Sequence, residues 1–261
     1  MSIRCWKLQH LPALIAILAL FTSAAQAELA DDAGRFLQDY DRLIALRDQI
    51  AADRDAMAAN LDGKDLKRDV KRFFANRLEA HLVRLLKAAD RKQMRISLVY
   101  HGTPIAKPTK GAKDLLLDAT SYISSYDAWL VKQAEVLASI DQMRAALGAG
   151  DNTQLAAATT SFFDNSRARL EKRLQWQSDI KSMKKDAAFK GTGKPLPPPG
   201  TSLKEHVTEF LNDRAAWEAL GTQVDADRNN LRAALSAPES LQTVAATLLT
   251  NTSQVAQGRL G

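Results

Sequence analysis

Residues 36–63 read FLQDYDRLIALRDQIAADRDAMAANLDG, and the chain returns to this pattern twice more. Laid without gaps over Phe210–Ala237, the stretch keeps 11 of 28 residues. Both resemble Tyr122–Ala149, where Trp129 matches Trp217. A second block follows each copy: FFANRLEAHLVRL from Phe73, FFDNSRARLEKRL from Phe162 and LLTNTSQVAQGRL from Leu248. Two apolar residues, an Asn three along and a closing Arg-Leu recur in all three. The connectors match as well: Tyr100-x-Gly102-Thr103 with Pro108 and Gly111, against Phe189-x-Gly191-Thr192 with Pro197 and Gly200. These recurrences point to an internal repeat of about 87 residues.

The spacing inside each copy is helical. Phe36, Leu43, Ile50 and Met57 lie seven apart, as do Tyr122, Trp129, Val136 and Met143, and Phe210, Trp217, Val224 and Leu231. Leu61, Leu147 and Leu235 close the stripes. A stripe of period seven keeps one face of a helix apolar and implies gentle left-handed supercoiling. The 28-residue block predicts a helix about 42 Å long. A heptad stripe of aromatics reads as core, so Trp217 is expected to be shielded; Trp129 and Trp217 are the one pair kept as a candidate ligand wall. Breaks follow at Asp62-Gly63, Gly148–Asp151 and Ser236–Pro238, with Asp151 or Ser236 available to cap the next helix. The second block then supplies a second helix. The β-prone run Ile96–Tyr100 is expected to fray that helix or form a short extended piece. Connectors 101–112 and 190–201, the latter with Pro195 and Pro197–Pro199, are expected to be non-helical. The fold expected is all-α: three tandem helical hairpins, about six helices, at 28–121, 122–209 and a shorter 210–261.

Residues 1–27 read as a signal peptide. Arg4 and Lys7 form a basic start, residues 11–21 an apolar run, and Ala25-Gln26-Ala27 a small-x-small cleavage site. Cys5 is the sole cysteine and would leave with this segment, so disulfides and thiol chemistry are not expected of the mature chain. The expected location is the periplasm.

Charge is unevenly placed. Residues 28–62 carry net −5 and residues 64–113 net +10; in the second copy 114–150 is −3 and 151–194 is +4. Acidic first helices thus precede basic second helices. Lys64, Lys67, Arg68, Lys71 and Arg72 form a basic ridge suited to an anionic partner such as an acidic lipid, an envelope polymer or an acidic protein. Export and the lack of interleaved aromatics weigh against nucleic acid.

Asn76, Asn165 and Asn251 stand eight residues before Arg84, Arg173 and Arg259. Folding each hairpin at its break sets Arg84 opposite Asp39 or Asp41, Arg173 opposite Asp127 and Arg259 opposite Asp213. Such polar pairs fix register in helical assemblies; a triplicated anion site is the alternative.

Catalytic and metal motifs do not emerge. Gly191–Lys194 lacks P-loop spacing, with Pro195 where Ser or Thr belongs. Asp225-x-Asp227-x-Asn229 lacks the glycine and closing Glu of a calcium loop. His81, His101 and His206 have no helical ligand partners, and no haem or serine-hydrolase signature occurs. No cofactor is implied. The sequence therefore reads as a non-catalytic scaffold or binding module. Its alternatives are a ligand-sensing bundle and an enzyme with dispersed carboxylates between hairpins.

Overall fold

The structure is a computed structural model that describes residues 11–189 and 202–258, with side chains from residue 27 onward. The described residues form six helices and no strand: α1 (Leu11–Ala59), α2 (Leu66–Ser97), α3 (Leu115–Ala149), α4 (Asn152–Asp186), α5 (Leu203–Ala234) and α6 (Pro238–Gly258). Consecutive helices pair as hairpins, α1 with α2, α3 with α4 and α5 with α6. The first helix of each hairpin is longer than the 28-residue block. α3 and α5 start seven residues before Tyr122 and Phe210, at Leu115 and Leu203, which add one more heptad position to the stripe.

Local chemistry sets the boundaries. Asp114 and Asp151 accept from the backbone N–H groups of Leu117 (3.0 Å) and Gln154 (2.9 Å), capping α3 and α4. Ser202 caps α5 in a reciprocal capping box with Glu205. Ser236 makes no such bond, and α6 instead opens on Pro238, whose missing N–H costs nothing in a first turn. Ile96–Tyr100 makes no strand. α2 ends there in a Schellman turn, with Tyr100 N–H on Arg95 C=O and Val99 N–H on Ile96 C=O, both 2.9 Å. Phe189 and Ala188 repeat both bonds at the end of α4, at 2.9 and 3.0 Å. Val99 and Ala188 take the left-handed conformation such a turn needs, each at φ 50°. Connector 101–112 is non-helical; connector 190–201 and Arg259 lie outside the described residues.

Two compact units form, and they cut across the hairpins. One takes α1 as far as Arg47, Leu78–Thr103 and Ala134–Ser166. Its core holds Leu29, Phe36, Met94, Val136, Met143, Leu155, Phe162 and Phe163, with Phe36 edge-on to Phe162 at 5.2 Å. The other takes Asp48–Arg77, Pro104–Gln133 and the chain from Arg167 on. Its largest cluster holds Tyr122, Met183, Val224, Leu231, Leu241, Leu248 and Leu249; a second gathers Met57, Leu66, Phe73 and Val207, with Phe73 edge-on to Phe210 at 5.3 Å. Most of the heptad stripe thus lies in the cores. Ile50, Trp129, Phe210 and Trp217 are partly buried; Trp217 is thus mostly shielded, its Nε1 donates to Val255 C=O (3.1 Å), and the Arg214 guanidinium lies 4.4 Å from its ring centre.

Candidate functional site

The recurring asparagines reach back across their hairpins to one position of the first helix, seventeen residues after Phe36, Tyr122 and Phe210. Asn76 Nδ2 donates to Asp53 (2.7 Å), Asn165 Nδ2 to Ser139 Oγ (3.1 Å) and Asn251 Nδ2 to Asp227 (2.7 Å). All three acceptors are buried. They sit in the heptad interior, where an unpaired polar group is costly and an unpaired carboxylate most of all, and the Asn supplies each with a donor. A second rung joins Ser97 Oγ to Asp32 (2.6 Å) in α1·α2, and a third joins Ser125 Oγ to Asp179 (2.8 Å) in α3·α4. Where α3·α4 matches the Asp32–Ser97 rung, Asp186 stands in place of the serine and faces Asp118. Burial first, then the hydrogen bond and charge of Asp118, push its carboxyl up from the ordinary value.

The arginines behave differently from the expectation. Asp41 pairs with Arg144 of α3 (2.7 Å) rather than with Arg84, and Asp127 pairs with Arg232 of α5 rather than with Arg173. Arg144 and Arg232 themselves occupy matched positions, one turn before Leu147 and Leu235, so these acids link first helix to first helix. Arg84, Arg173, Asp39 and Asp213 make no ion pair among the described residues, and Arg259 lies outside them. The physical reason is that Arg84 and Arg173 project into solvent, while Asp41 and Asp127, themselves largely exposed, meet an arginine of the next first helix.

The basic ridge divides into two sets. Arg72 is tied to the buried Asp53 and to Asp69 (3.4 Å), and Arg68 to Asp65 (3.1 Å) and Asp69 (3.4 Å). Asn60 donates to Asp69 (2.7 Å); that bond, helped by the two guanidinium groups, holds the Asp69 carboxyl below its ordinary value. Both arginines are therefore committed to holding the α1–α2 turn. Lys64, Lys67 and Lys71 are exposed and make no ion pair among the described residues. Their charge is directed at solvent.

Sequence reasoning missed the outer face of α2. Phe73, Ala80, Val83 and Met94 are buried, while Leu78, Leu82, Leu85 and Ile96 on the opposite face are 63%, 52%, 56% and 59% exposed. Those four fall at heptad spacing, with Ala89 and Lys92 filling the same line. A helix that is apolar on two faces has one face in the core and one without a partner. Exposed basic residues lie beside the line at His81, Arg84 and Arg95, and Lys92 lies within it. The nearby acids are engaged: Glu79 with Arg42 (Nε 3.0 Å), and the half-buried Asp90 with Arg35 (3.5 Å).

Trp129 and Trp217 do not form a common wall. Trp129 packs in an aromatic cluster with Tyr126 (5.6 Å) and Trp176 (6.4 Å), and Arg228 lies 4.1 Å from the Tyr126 ring centre while its Nε donates to the buried Tyr122 hydroxyl (3.0 Å). A shallow depression of about 250 Å³ lies over the Asn165–Ser139 rung, lined by Glu135, Ala138, Gln142 and Ser161. No group of three or more metal-ligating side chains converges among the described residues. Among the described residues, no helix is long and apolar enough to cross a membrane. No protein-family model, curated protein or solved structure matches the chain.

Proposed function

We propose that this chain is an exported, non-catalytic helical module of the cell envelope that binds an anionic partner through the free lysines of α2 and its approach. One observation carries the reading. Five bases stand at 64–72, and the two arginines are consumed by structure while Lys64, Lys67 and Lys71 are left facing solvent. Uncompensated positive charge attracts anionic polymers and surfaces over about 10 Å at 0.1 M salt.

Export is part of the same proposal and rests on residues 1–27. Cleavage after Ala27 leaves α1 with residues 28–59, a length that matches the 32 residues of α2 and α5. It also keeps Leu29 and Ala33, the first buried side chains of the core. We further read the three hairpins as descendants of one unit of about 87 residues. The support is the matched Asn rungs, the matched Schellman ends and the matched Asp41–Arg144 and Asp127–Arg232 pairs.

Co-sedimentation with anionic vesicles and with peptidoglycan sacculi tests the binding. Attachment at low salt that weakens toward 1 M salt, and that Lys64→Gln/Lys67→Gln/Lys71→Gln abolishes, is the expected result. Equal recovery of wild type and triple variant refutes it.

A further inference from the structure

The outer stripe of α2 identifies the class of partner. We infer that Leu78, Leu82, Leu85 and Ile96, with the bases beside them, lay α2 on an anionic lipid surface; this rests on the anionic-partner reading above and narrows it. Three observations lead there. The stripe is apolar and more than half exposed at each of its four positions, and no carboxylate interrupts its line along α2. A polyanion such as a sugar polymer or nucleic acid gives leucine nothing to pack against, whereas acyl chains just beneath a headgroup layer do. Exposed cations stand along the stripe at Arg84, Lys92 and Arg95, where long side chains can keep their heads at phosphate level while the leucines sink.

Charge also decides against a second copy of the chain. Two α2 helices pressed face to face would bring Arg84, Lys92 and Arg95 of one against the same bases of the other. The acids within reach, Glu79 and Asp90, are already held by Arg42 and Arg35. A surface rich in acidic lipid supplies both the apolar phase and the counter-charge, each of which the stripe lacks.

The test uses the protein in the form the producing cells process it to, its mass recorded, with vesicles of phosphatidylglycerol mixed into phosphatidylcholine and of phosphatidylcholine alone. Wild type should bind the anionic vesicles and leave the zwitterionic ones. Leu82→Ser/Leu85→Ser should weaken binding at least about tenfold, because two large apolar side chains no longer enter the interface. Its thermal midpoint should stay close to wild type, since both residues are exposed, and any leader is common to every variant. If the leucine variant binds vesicles as wild type does while the lysine triple variant fails, the lipid inference falls and the anionic-partner reading stands. If wild type ignores anionic vesicles but binds sacculi, the inference likewise falls alone. If it binds neither at low salt, both fall. A concentration-dependent dimer abolished by Leu82→Ser/Leu85→Ser assigns the stripe to a second copy and overturns the lipid reading.

Discussion

Asn251→Ala should be the most damaging of the three asparagine truncations, and the structure says by how much. Asp227 is 1% exposed and makes no ion pair among the described residues. Its carboxylate is held by Asn251 Nδ2 at 2.7 Å and Gln223 Nε2 at 3.0 Å. Removing Asn251 strips one of two donors from a buried anion, and a hydrogen bond to a charged group is worth about 1.5–3 kcal/mol. In a chain of this size 1 kcal/mol moves the thermal midpoint by about 2–4 °C, so a loss of roughly 4–8 °C is expected for about 2 kcal/mol. Asn76→Ala should cost less, because Arg72 still holds Asp53. Asn165→Ala should cost least, about 0.5–1.5 kcal/mol, since its partners are the Ser139 hydroxyl and, at 3.5 Å, the Glu135 carbonyl. Asp227→Leu/Asn251→Leu should be less destabilised than Asn251→Ala alone, because no buried charge is then left unpaired. Calorimetry of the four variants decides it. Equal costs at the three asparagines, or the largest at Asn165, would refute the view that partner charge sets the strength of each rung.

Other outcomes are expected. Trp217→Ala should cost about 2–3 kcal/mol, below the 3–5 typical of a fully buried aromatic, because the indole is only partly buried; denaturant melts measure it. Val99→Gly should stabilise by about 0.5–1 kcal/mol, since a β-branched residue at φ 50° is strained and its side chain is 68% exposed; a lower midpoint would deny the Schellman geometry. Asp186→Ser should stabilise near neutral pH. The raised carboxyl binds its proton more tightly folded than unfolded, so its contribution is full below the ordinary value of 3.8 and is lost as pH rises through the folded value; the serine variant should lack that decline in a pH series of melts. Lys64→Gln/Lys67→Gln/Lys71→Gln should change stability by under about 0.5 kcal/mol, as exposed charges do.

The hairpins were legible because the heptad positions carry large apolar side chains at constant spacing, from Phe36 to Met57 and its two counterparts. The asparagine partners were also within reach. Asp53 lies three residues after Ile50 and four before Met57, on the core side of the helix, and is identical to Asp227 in the aligned blocks. The exposed acids Asp41 and Asp127 are taken by Arg144 and Arg232, whose place opposite them depends on how one hairpin lies on the next and is not written in the spacing within a hairpin. The outer stripe of α2 was not legible. Its residues and the core residues Phe73, Ala80, Val83 and Met94 both run at helical spacing, and sequence does not say which line meets the neighbouring helices. The division into two compact units was equally hidden, since it depends on which parts of each long helix pack together.

The most direct test of the account reads the environment of α2 itself. Cys5 is the only cysteine, so in a Cys5→Ser background single cysteines at Leu82→Cys, Leu85→Cys and, on the exposed side of α1, Asp55→Cys can each carry an environment-sensitive fluorophore. On adding anionic vesicles, emission at positions 82 and 85 should shift to the blue while position 55 stays unchanged. No shift at 82 and 85, or an equal shift at 55, would contradict the account.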